Sequence, residues 1–361
     1  MEKYRVGIVG ATGMVGQRFI SLLKDHPWFE VNCVAASARS AGKTYREAVG
    51  ERWAFAWEIP EKVAGMTVVD AADIDEVSKH VDFVFCAVDM KKDEIRALEE
   101  AYAKHEIPVV SNNSACRGIE DVPMVVPEIN ADHLAVIEAQ KKRLGTKNGF
   151  IAVKPNCSIQ SYVPALTPLL DFEPEKVSVC TYQAISGAGK TFKTWPEMVD
   201  NVIPYIGGED EKSENEPLKL WGHVEDGKIV NAALPVISAQ CLRVACPDGH
   251  MAAVSVSFKK KPTIEQIKER WANYETEAQR LELPSAPKPF LQYFEDPSRP
   301  QTRLDRDFQN GFGVSIGRLR EDKLFDYRFV CLSHNTVRGA AGGGILTAEL
   351  LCRKGYIPHR V

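Results

Sequence analysis

Cys157 is the residue whose setting most invites chemistry. It lies in Lys154-Pro155-Asn156-Cys157-Ser158-Ile159-Gln160, after a strand-like run (150–153) and before a helical run over about 159–170. A thiol at a helix N-terminus meets unpaired N–H groups and the positive end of the helix dipole, which favours the thiolate. A thiolate so placed serves as a nucleophile. The other cysteines are Cys33, Cys86, Cys116, Cys180, Cys241, Cys246, Cys331 and Cys352, nine in all. The count is odd and no Cys-x-x-Cys pair occurs, so neither a disulfide framework nor a metal site is expected. The eight read as small, buried, apolar residues.

A nucleophile of this kind works with a base, and the chain has eight histidines. His26, His80, His105 and His133 read as surface or capping residues, and His359 lies in the tail. His223 and His334 lack a flanking pattern. His250 closes Arg243-Val244-Ala245-Cys246-Pro247-Asp248-Gly249-His250, an arginine, a turn and a histidine before a long strand. It is the candidate general base. Two small-residue segments also look functional. Gln183–Lys190 is a glycine-rich loop after a strand, read as too flexible to be chosen for packing. Ser333–Gly344 is a strand-to-helix junction that could bring backbone close to a cofactor.

A second chemistry sits at the start of the chain. Gly10, Gly13 and Gly16 form G-x-x-G-x-x-G where a strand passes into a helix, a dinucleotide-binding turn. The next strand ends in Ala35-Ala36-Ser37-Ala38-Arg39-Ser40-Ala41-Gly42-Lys43. An acid there would hold a ribose 2′-hydroxyl; hydroxyls, an arginine and a lysine suit a 2′-phosphate instead. The cofactor expected is NADP(H).

The elements that must position these residues alternate in the first half: strands at 4–9, 30–36, 83–88 and 108–111, helices at 14–24 and 91–104. This is the grammar of a parallel sheet with crossover helices. The stretch 44–63, with Trp53, Phe55 and Trp57, reads as an insertion packed on a neighbouring surface. Beyond about 155 the reading is α+β with antiparallel pairing: strands at 176–183, 252–260, 312–319 and 324–332, a helix at 264–281, and a polar loop at 207–216. The expected fold class is α/β, a Rossmann-type doubly wound parallel sheet plus a second α+β catalytic and dimerisation domain. The expected division is 1–155, completed by a C-terminal helix in 339–361, and 156–338.

At 361 residues the chain exceeds one ordinary core. Its 45 basic and 49 acidic residues give a net charge of −4, which disfavours a general nucleic-acid binder. No apolar run approaches a membrane span, and the charged start at Met1-Glu2-Lys3-Tyr4-Arg5 shows no secretory signal. A cytoplasmic, membrane-free protein is expected.

Together the motifs resemble the aspartate-β-semialdehyde dehydrogenase family, in its archaeal and fungal branch. They are Gly-Ala-Thr-Gly-Met-Val-Gly at 10–16, Ser-Ala-Arg-Ser-Ala-Gly-Lys at 37–43, Ser-Asn-Asn-Ser-Ala-x-Arg at 111–117, Asn-Cys-Ser at 156–158, Gln-Ala-Ile-Ser-Gly-Ala-Gly at 183–189, Arg-x₆-His ending at His250, and Asn-Thr-x-Arg-Gly-Ala-Ala-Gly-Gly from Asn335. The resemblance runs almost end to end and in one order. It implies NADPH-dependent reduction of L-β-aspartyl phosphate to L-aspartate 4-semialdehyde through a cysteine thioacyl-enzyme, in lysine, threonine, methionine and isoleucine biosynthesis. It implies Cys157 as nucleophile, His250 as the acid/base that activates it, and Gln183 orienting the acyl group. Arg243 would pair with the substrate α-carboxylate and Glu209 with its α-amino group. Lys212 and Arg117, with Asn113 nearby, would bind phosphate. Gly10, Thr12, Gly13, Met14, Val15, Ser37, Arg39, Ser40, Ser186, Gly187 and Asn335 would line the cofactor. A homodimer or homotetramer is implied. Alternatives are a malonyl-CoA reductase on the same scaffold, an N-acetyl-glutamyl-phosphate reductase, a glyceraldehyde-3-phosphate dehydrogenase and a non-catalytic NADP-binding regulator.

Overall fold

The computed structural model describes residues 2–359. Met1, and Arg360 and Val361 of the expected 339–361 segment, lie outside the described residues. Six strands form a parallel sheet: β1 (Tyr4–Val9), β2 (Phe29–Ala36), β3 (Val69–Asp70), β4 (Phe83–Cys86), β5 (Val109–Ser111) and β6 (Ile151–Val153). Their order is β3-β2-β1-β4-β5-β6. The order reverses between β1 and β4, which opens a crevice at the carboxyl ends of the strands, the ligand-binding place of doubly wound sheets. β4 is buried at every position because helices cover both faces. The helix Met14–Leu23 buries Phe19, Ile20 and Leu23 on one side. The C-terminal helix Gly342–Arg353 returns to this sheet. Its Ile345, Leu346 and Leu350 share a core with Val6, Ile8, Phe19 and Phe85.

The second sheet holds β7 (Pro174–Gln183), β8 (Val202–Ile203), β11 (Val236–Val244), β12 (His250–Phe258), β13 (Leu291–Phe294), β14 (Val314–Glu321) and β15 (Tyr327–Ser333); β9 (His223–Glu225) and β10 (Lys228–Val230) form a separate hairpin. The order is β13-β14-β15-β12-β7-β11-β8. This sheet is mixed rather than antiparallel throughout, because β7 pairs β11 and β13 pairs β14 in parallel. A parallel neighbour needs a crossover. The helix Glu209–Leu220 lies in the β7–β11 connection and packs on β11.

That helix corrects the expected loop over 207–216. Gly208 leaves the turn at φ 71°, and Glu209, Ser213, Pro217 and Leu220 form its buried side. A buried side that is half polar has no hydrophobic period, so the usual helix signal is missing. The expected helix over 264–281 is two, Ile264–Ala272 and Glu277–Arg280. Thr276 restarts it, its side chain accepting the Gln279 N–H. His26 and His133 are buried, not surface residues. His26 meets Glu349 at 2.8 Å, and His133 meets Asn130 and the Gly222 carbonyl. The aromatic insertion packs as expected: Arg18 lies 4.1 Å over the Phe55 ring, and Trp57 donates to Ser21. All nine cysteines are free. Among the described residues no helix is long and apolar enough to cross a membrane.

Candidate active site

Strand β6 delivers Cys157 and strand β12 begins at His250. Cys157 Sγ and His250 Nε2 lie 3.4 Å apart, a hydrogen-bonding distance for sulfur. The ring is set from behind: the Ala184 N–H donates to Nδ1 at 3.1 Å. A nitrogen that accepts carries no proton, so the neutral ring presents its N–H at Nε2, toward the sulfur. Burial pushes His250 well below the ordinary histidine value, and the Arg243 charge adds to this. The ring is therefore neutral at neutral pH. The base role expected for it asks this ring to give up the Ala184 bond.

The helix expected immediately after Cys157 is absent. Residues 157–162 form turns, and the α-helix proper is only Val163–Leu166, continued as a 3₁₀ stretch Thr167–Phe172. Pro168 has no N–H to extend an α ladder. Without a helix of useful length, no macrodipole is available to the thiol. Asn156 shapes the turn instead. Its Oδ1 accepts the Ser158 N–H and hydroxyl, both at 2.7 Å. Burial pushes the Cys157 thiol up and Glu209 adds to this, against the pull of Lys154, Arg243 and Arg117.

Glu209 gathers the polar side of the site. Its carboxylate accepts from Asn156 Nδ2 at 2.9 and 3.0 Å, from Gln183 Nε2 at 3.2 Å and from Lys212 Nζ at 2.8 Å. Burial raises its carboxyl, but Lys212, Asn156 and Gln183 outweigh that, so it lies below its usual value. Two turns on, Glu216 accepts from Arg117 at 2.9 Å and from the Asn156 N–H at 2.6 Å. Lys219 then donates to the carbonyls of Arg117, Ile119 and Val122. One helix thus ties the nucleophile turn to the loop that carries Arg117. Arg117 and Lys212 line one cavity of about 270 Å³ with Ser114 and Asn231. Asn113 is not joined to them by a hydrogen bond; its amide donates to Glu99 and to Cys86 Sγ.

Arg243 donates to the Ala184 carbonyl at 2.7 Å. Gly187 lies against both Arg243 and His250: a Cβ there would stand 2.7 Å from Arg243 Nη1 and 3.0 Å from His250 Nε2. This corrects the reading of 183–190 as a segment not chosen for packing. Asn335 bridges the same region, donating to Ser186 Oγ and accepting the Gly249 N–H, both at 2.8 Å.

At the other end of the crevice, Gly10 turns β1 into its helix at φ 89°, and a Cβ there would stand 2.3 Å from the Ala87 carbonyl oxygen. Only glycine fits. Gly13, at the N-terminus of the helix Met14–Leu23, is exposed. Ser37, Arg39 and Ser40 form a turn at the end of β2, closed by the Ser40 N–H on the Ser37 carbonyl at 2.8 Å. Ser37 and Arg39 are exposed there and Ser40 is buried.

The comparisons bear on this arrangement. Residues 5–137 match a family model described as semialdehyde dehydrogenase, NAD binding domain, and residues 166–338 one described as semialdehyde dehydrogenase, dimerisation domain. The aspartate-semialdehyde dehydrogenase of Schizosaccharomyces pombe is 45% identical over 98% of this chain and 99% of its own. The chain belongs to the aspartate-semialdehyde dehydrogenase family. The enzyme of that name from Archaeoglobus fulgidus is 43% identical over 98% of this chain and 100% of its own. The fungal and archaeal sources agree with the branch expected from the motifs. A crystal structure of aspartate semialdehyde dehydrogenase with NADP from Candida albicans aligns at a TM-score of 0.89 and 39% identity, covering 99% of this chain and 100% of that one.

Within this member of the aspartate-semialdehyde dehydrogenase family, three residues that build the site had been given no role from the sequence. Asn156 was available as an Asn-x-Ser turn signal. Glu216 was visible as a repeat of the Glu-x-x-Lys spacing of Glu209 and Lys212. Lys154 had no signal beyond its place before Pro155.

Proposed function

We propose that the protein reduces L-β-aspartyl phosphate to L-aspartate 4-semialdehyde with NADPH, releasing phosphate, in the biosynthesis of lysine, threonine, methionine and isoleucine. The observation that carries this is the 3.4 Å Cys157–His250 contact with Gln183, Glu209, Lys212 and Arg243 gathered around it. The Cys157 thiolate attacks the acyl carbon. An S–C bond forms, the C–O bond to phosphate breaks, and phosphate leaves with that electron pair onto Arg117 and Lys212. His250 is the acid/base that takes the thiol proton, its ring giving up the Ala184 bond to do so. The N–H of Cys157 itself is the donor offered to the developing oxyanion, those of Asn156 and Ser158 being engaged by Glu216 and Asn156 Oδ1. Gln183 orients the acyl group, Arg243 pairs with the α-carboxylate and Glu209 with the α-ammonium. Asn113 stands at the edge of the phosphate loop.

The cofactor residues fit NADP(H). The tight Gly10 turn, with Thr12, exposed Gly13, Met14 and Val15, suits a pyrophosphate, and Ser37, Arg39 and Ser40 suit a 2′-phosphate. Ser186, Gly187 and Asn335 would receive the nicotinamide end. NADPH held there would supply a hydride to the thioester carbon, with the Cys157 sulfur leaving as thiolate. One proton is taken up overall, on a phosphate oxygen.

The buried carboxylate of Glu209 favours an amino-acid substrate over malonyl-CoA, which has no ammonium group to pair with it. We also infer a homodimer, or a tetramer of dimers, assembled through the second sheet, and a reducing cytoplasmic setting that suits nine free thiols. The assay mixes aspartate semialdehyde, NADP and phosphate and follows NADPH absorbance, with malonyl-CoA plus NADPH in parallel. Phosphate-dependent NADPH formation, abolished in Cys157→Ala, is the expected result. NADPH consumption with malonyl-CoA alone would move the substrate to a CoA thioester.

A further inference from the structure

The aromatic segment 44–63 packs against the helix Met14–Leu23, and two buried side chains join it to the glycine turn. Tyr45 opens the short helix Tyr45–Val49, which Thr44 caps by accepting the Glu47 N–H at 3.3 Å. Tyr45 is fully buried, and its hydroxyl donates to the Ala11 carbonyl at 2.9 Å. Gln17, on the helix that follows the turn, is 2% exposed. Its Nε2 donates to the Thr12 carbonyl at 3.0 Å and to the Arg52 carbonyl at 3.1 Å, while its Oε1 accepts the Ala54 N–H at 2.8 Å. Both amide hydrogens are thereby used, one on the turn and one on the segment.

The carbonyls of the turn are all engaged from within the protein. The Gly10 carbonyl accepts the Gly13 N–H at 3.1 Å, and Tyr45 and Gln17 take the next two. A trans peptide points its C=O and the following N–H to opposite sides. A bond on the Ala11 carbonyl therefore turns the Thr12 N–H the other way. Among the described residues the N–H groups of Thr12, Met14 and Val15 donate to nothing. Free N–H groups at the head of a helix, with the neighbouring carbonyls held behind them, suit an anion. Tyr45 also anchors the other phosphate loop. The end of the segment 37–43 is fastened by the Gly42 N–H on the Val68 carbonyl at 2.9 Å, the Val68 N–H on the Lys43 carbonyl at 2.8 Å and the Tyr45 N–H on the Met66 carbonyl at 2.8 Å. One residue thus joins the loop read for the 2′-phosphate to the turn read for the pyrophosphate.

We propose that Tyr45 and Gln17 are positioning residues for NADP(H): they hold the Ala11 and Thr12 carbonyls from behind and leave the Thr12 N–H free to donate to the pyrophosphate. Both act through the backbone of the turn, and through them the segment 44–63 becomes part of the cofactor site. The proposal rests on the reading of residues 10–15 as the pyrophosphate turn. Tyr45→Phe leaves the buried Ala11 carbonyl without its partner, and a peptide plane so freed can tip. Tipping turns the Thr12 N–H away and brings a carbonyl oxygen toward the anion. Binding then weakens while the reacting groups stay in place.

The test titrates the full-length protein with NADPH, followed by the cofactor's fluorescence, and with NADH, which keeps the pyrophosphate and lacks the 2′-phosphate. Tyr45→Phe should raise both Kd values by about fivefold, so that their ratio holds. Gln17→Met should weaken both at least as much. In the semialdehyde assay the KM for NADP should rise by the same factor, with kcat at saturating NADP and the KM for phosphate unchanged. Ser21→Ala removes another tie of the segment, the Trp57 bond at 3.1 Å, and should bind as wild type does. Circular dichroism confirms folding, and if Gln17→Met fails to fold, Tyr45→Phe carries the test alone. Unchanged affinity for NADPH in folded Tyr45→Phe overturns the proposal. So does a loss confined to NADPH, which would place the effect in the 2′-phosphate loop, or a fall in kcat and thermal midpoint at unchanged Kd, which would make the role structural. An equal loss in Ser21→Ala also overturns it, since any loosening of the segment would then suffice. Failure of the cofactor reading shows separately: Gly13→Asp, at an exposed helix N-cap where an acid fits, would then bind NADPH as tightly as wild type.

Discussion

Contacts with no room to spare set the geometry of single residues here. A Cβ on Gly339 would stand 2.9 Å from Cys157 Cβ, and one on Gly187 would meet Arg243 and His250. Backbone therefore covers the nucleophile and its histidine directly. A second buried histidine carries a consequence for stability. His334 Nδ1 lies 3.3 and 3.4 Å from the N–H groups of Thr336 and Val337, and the residue is 5% exposed. Burial pushes it down to about 4, with Arg18 and Arg306 working against Asp248 and Asp307. The unfolded chain protonates this group near its ordinary value of 6.5, so between about pH 6.5 and 4 the unfolded state binds more protons. Stability from this group is present at pH 7 and lost as pH falls through that window, by up to about 3 kcal/mol. Urea unfolding at pH 7 and pH 4.5 should show the loss in wild type, and His334→Gln should lose less. Equal losses would assign the pH dependence elsewhere.

At the scale of elements, two segments do the positioning. The helix Glu209–Leu220 places Glu209, Lys212, Glu216 and Lys219 at spacings of three and four, so one face serves the whole polar side of the site. The junction Val337–Ala341 is a π turn between β15 and the C-terminal helix. Its Arg338 forms a two-point pair with Glu128 at 2.7 and 2.8 Å, both side chains almost fully buried. It also donates to the Phe312 carbonyl and lies 4.5 Å over Phe290. Arg338→Met strands a buried carboxylate and should cost about 3–5 kcal/mol, measured by chemical denaturation. Arg338→Met with Glu128→Leu should regain much of that loss. A double variant no more stable than the single one would show that Phe290 and Phe312 contacts, not the charge, dominate.

At the scale of the molecule, the second sheet has one covered face and one open one. Along β7, Val177, Val179 and Thr181 are buried, while Ser178 and Tyr182 are exposed and Cys180 is partly so. Exposed Val202 and Val236 add apolar area on the same face, Val236 pairing with exposed Lys176 and Val202 with Val244, two residues on from the Leu242 that pairs with Tyr182. Strands that alternate so strictly leave a face for a partner. Association through this sheet predicts that sedimentation velocity finds a dimer or tetramer. Val202→Glu with Val236→Glu should shift the protein toward monomer while leaving its circular dichroism unchanged. An unshifted oligomer would place the interface elsewhere.

The local chemistry was written in contiguous residues. A glycine turn after a strand, hydroxyls and an arginine in place of an acid after the next, a cysteine between Asn156 and Ser158, and a histidine opening a strand are all short-range patterns. Backbone geometry and side-chain type act over a few positions, so such patterns survive in one dimension. The alternation of strand and helix likewise named the parallel sheet. What folding alone decided is long-range. Cys157 and His250 meet across 93 positions, and Glu216 reaches the Asn156 N–H across 60. The helix Glu209–Leu220 hid from periodicity because its buried face is half polar, serving the site instead of the core. The turn after Cys157 replaced the expected helix because prolines interrupt the ladder. The protonation of the nucleophile depends on burial and on the charges of Glu209, Lys154, Arg243 and Arg117, brought from four separate segments, and no spacing along the chain encodes that sum.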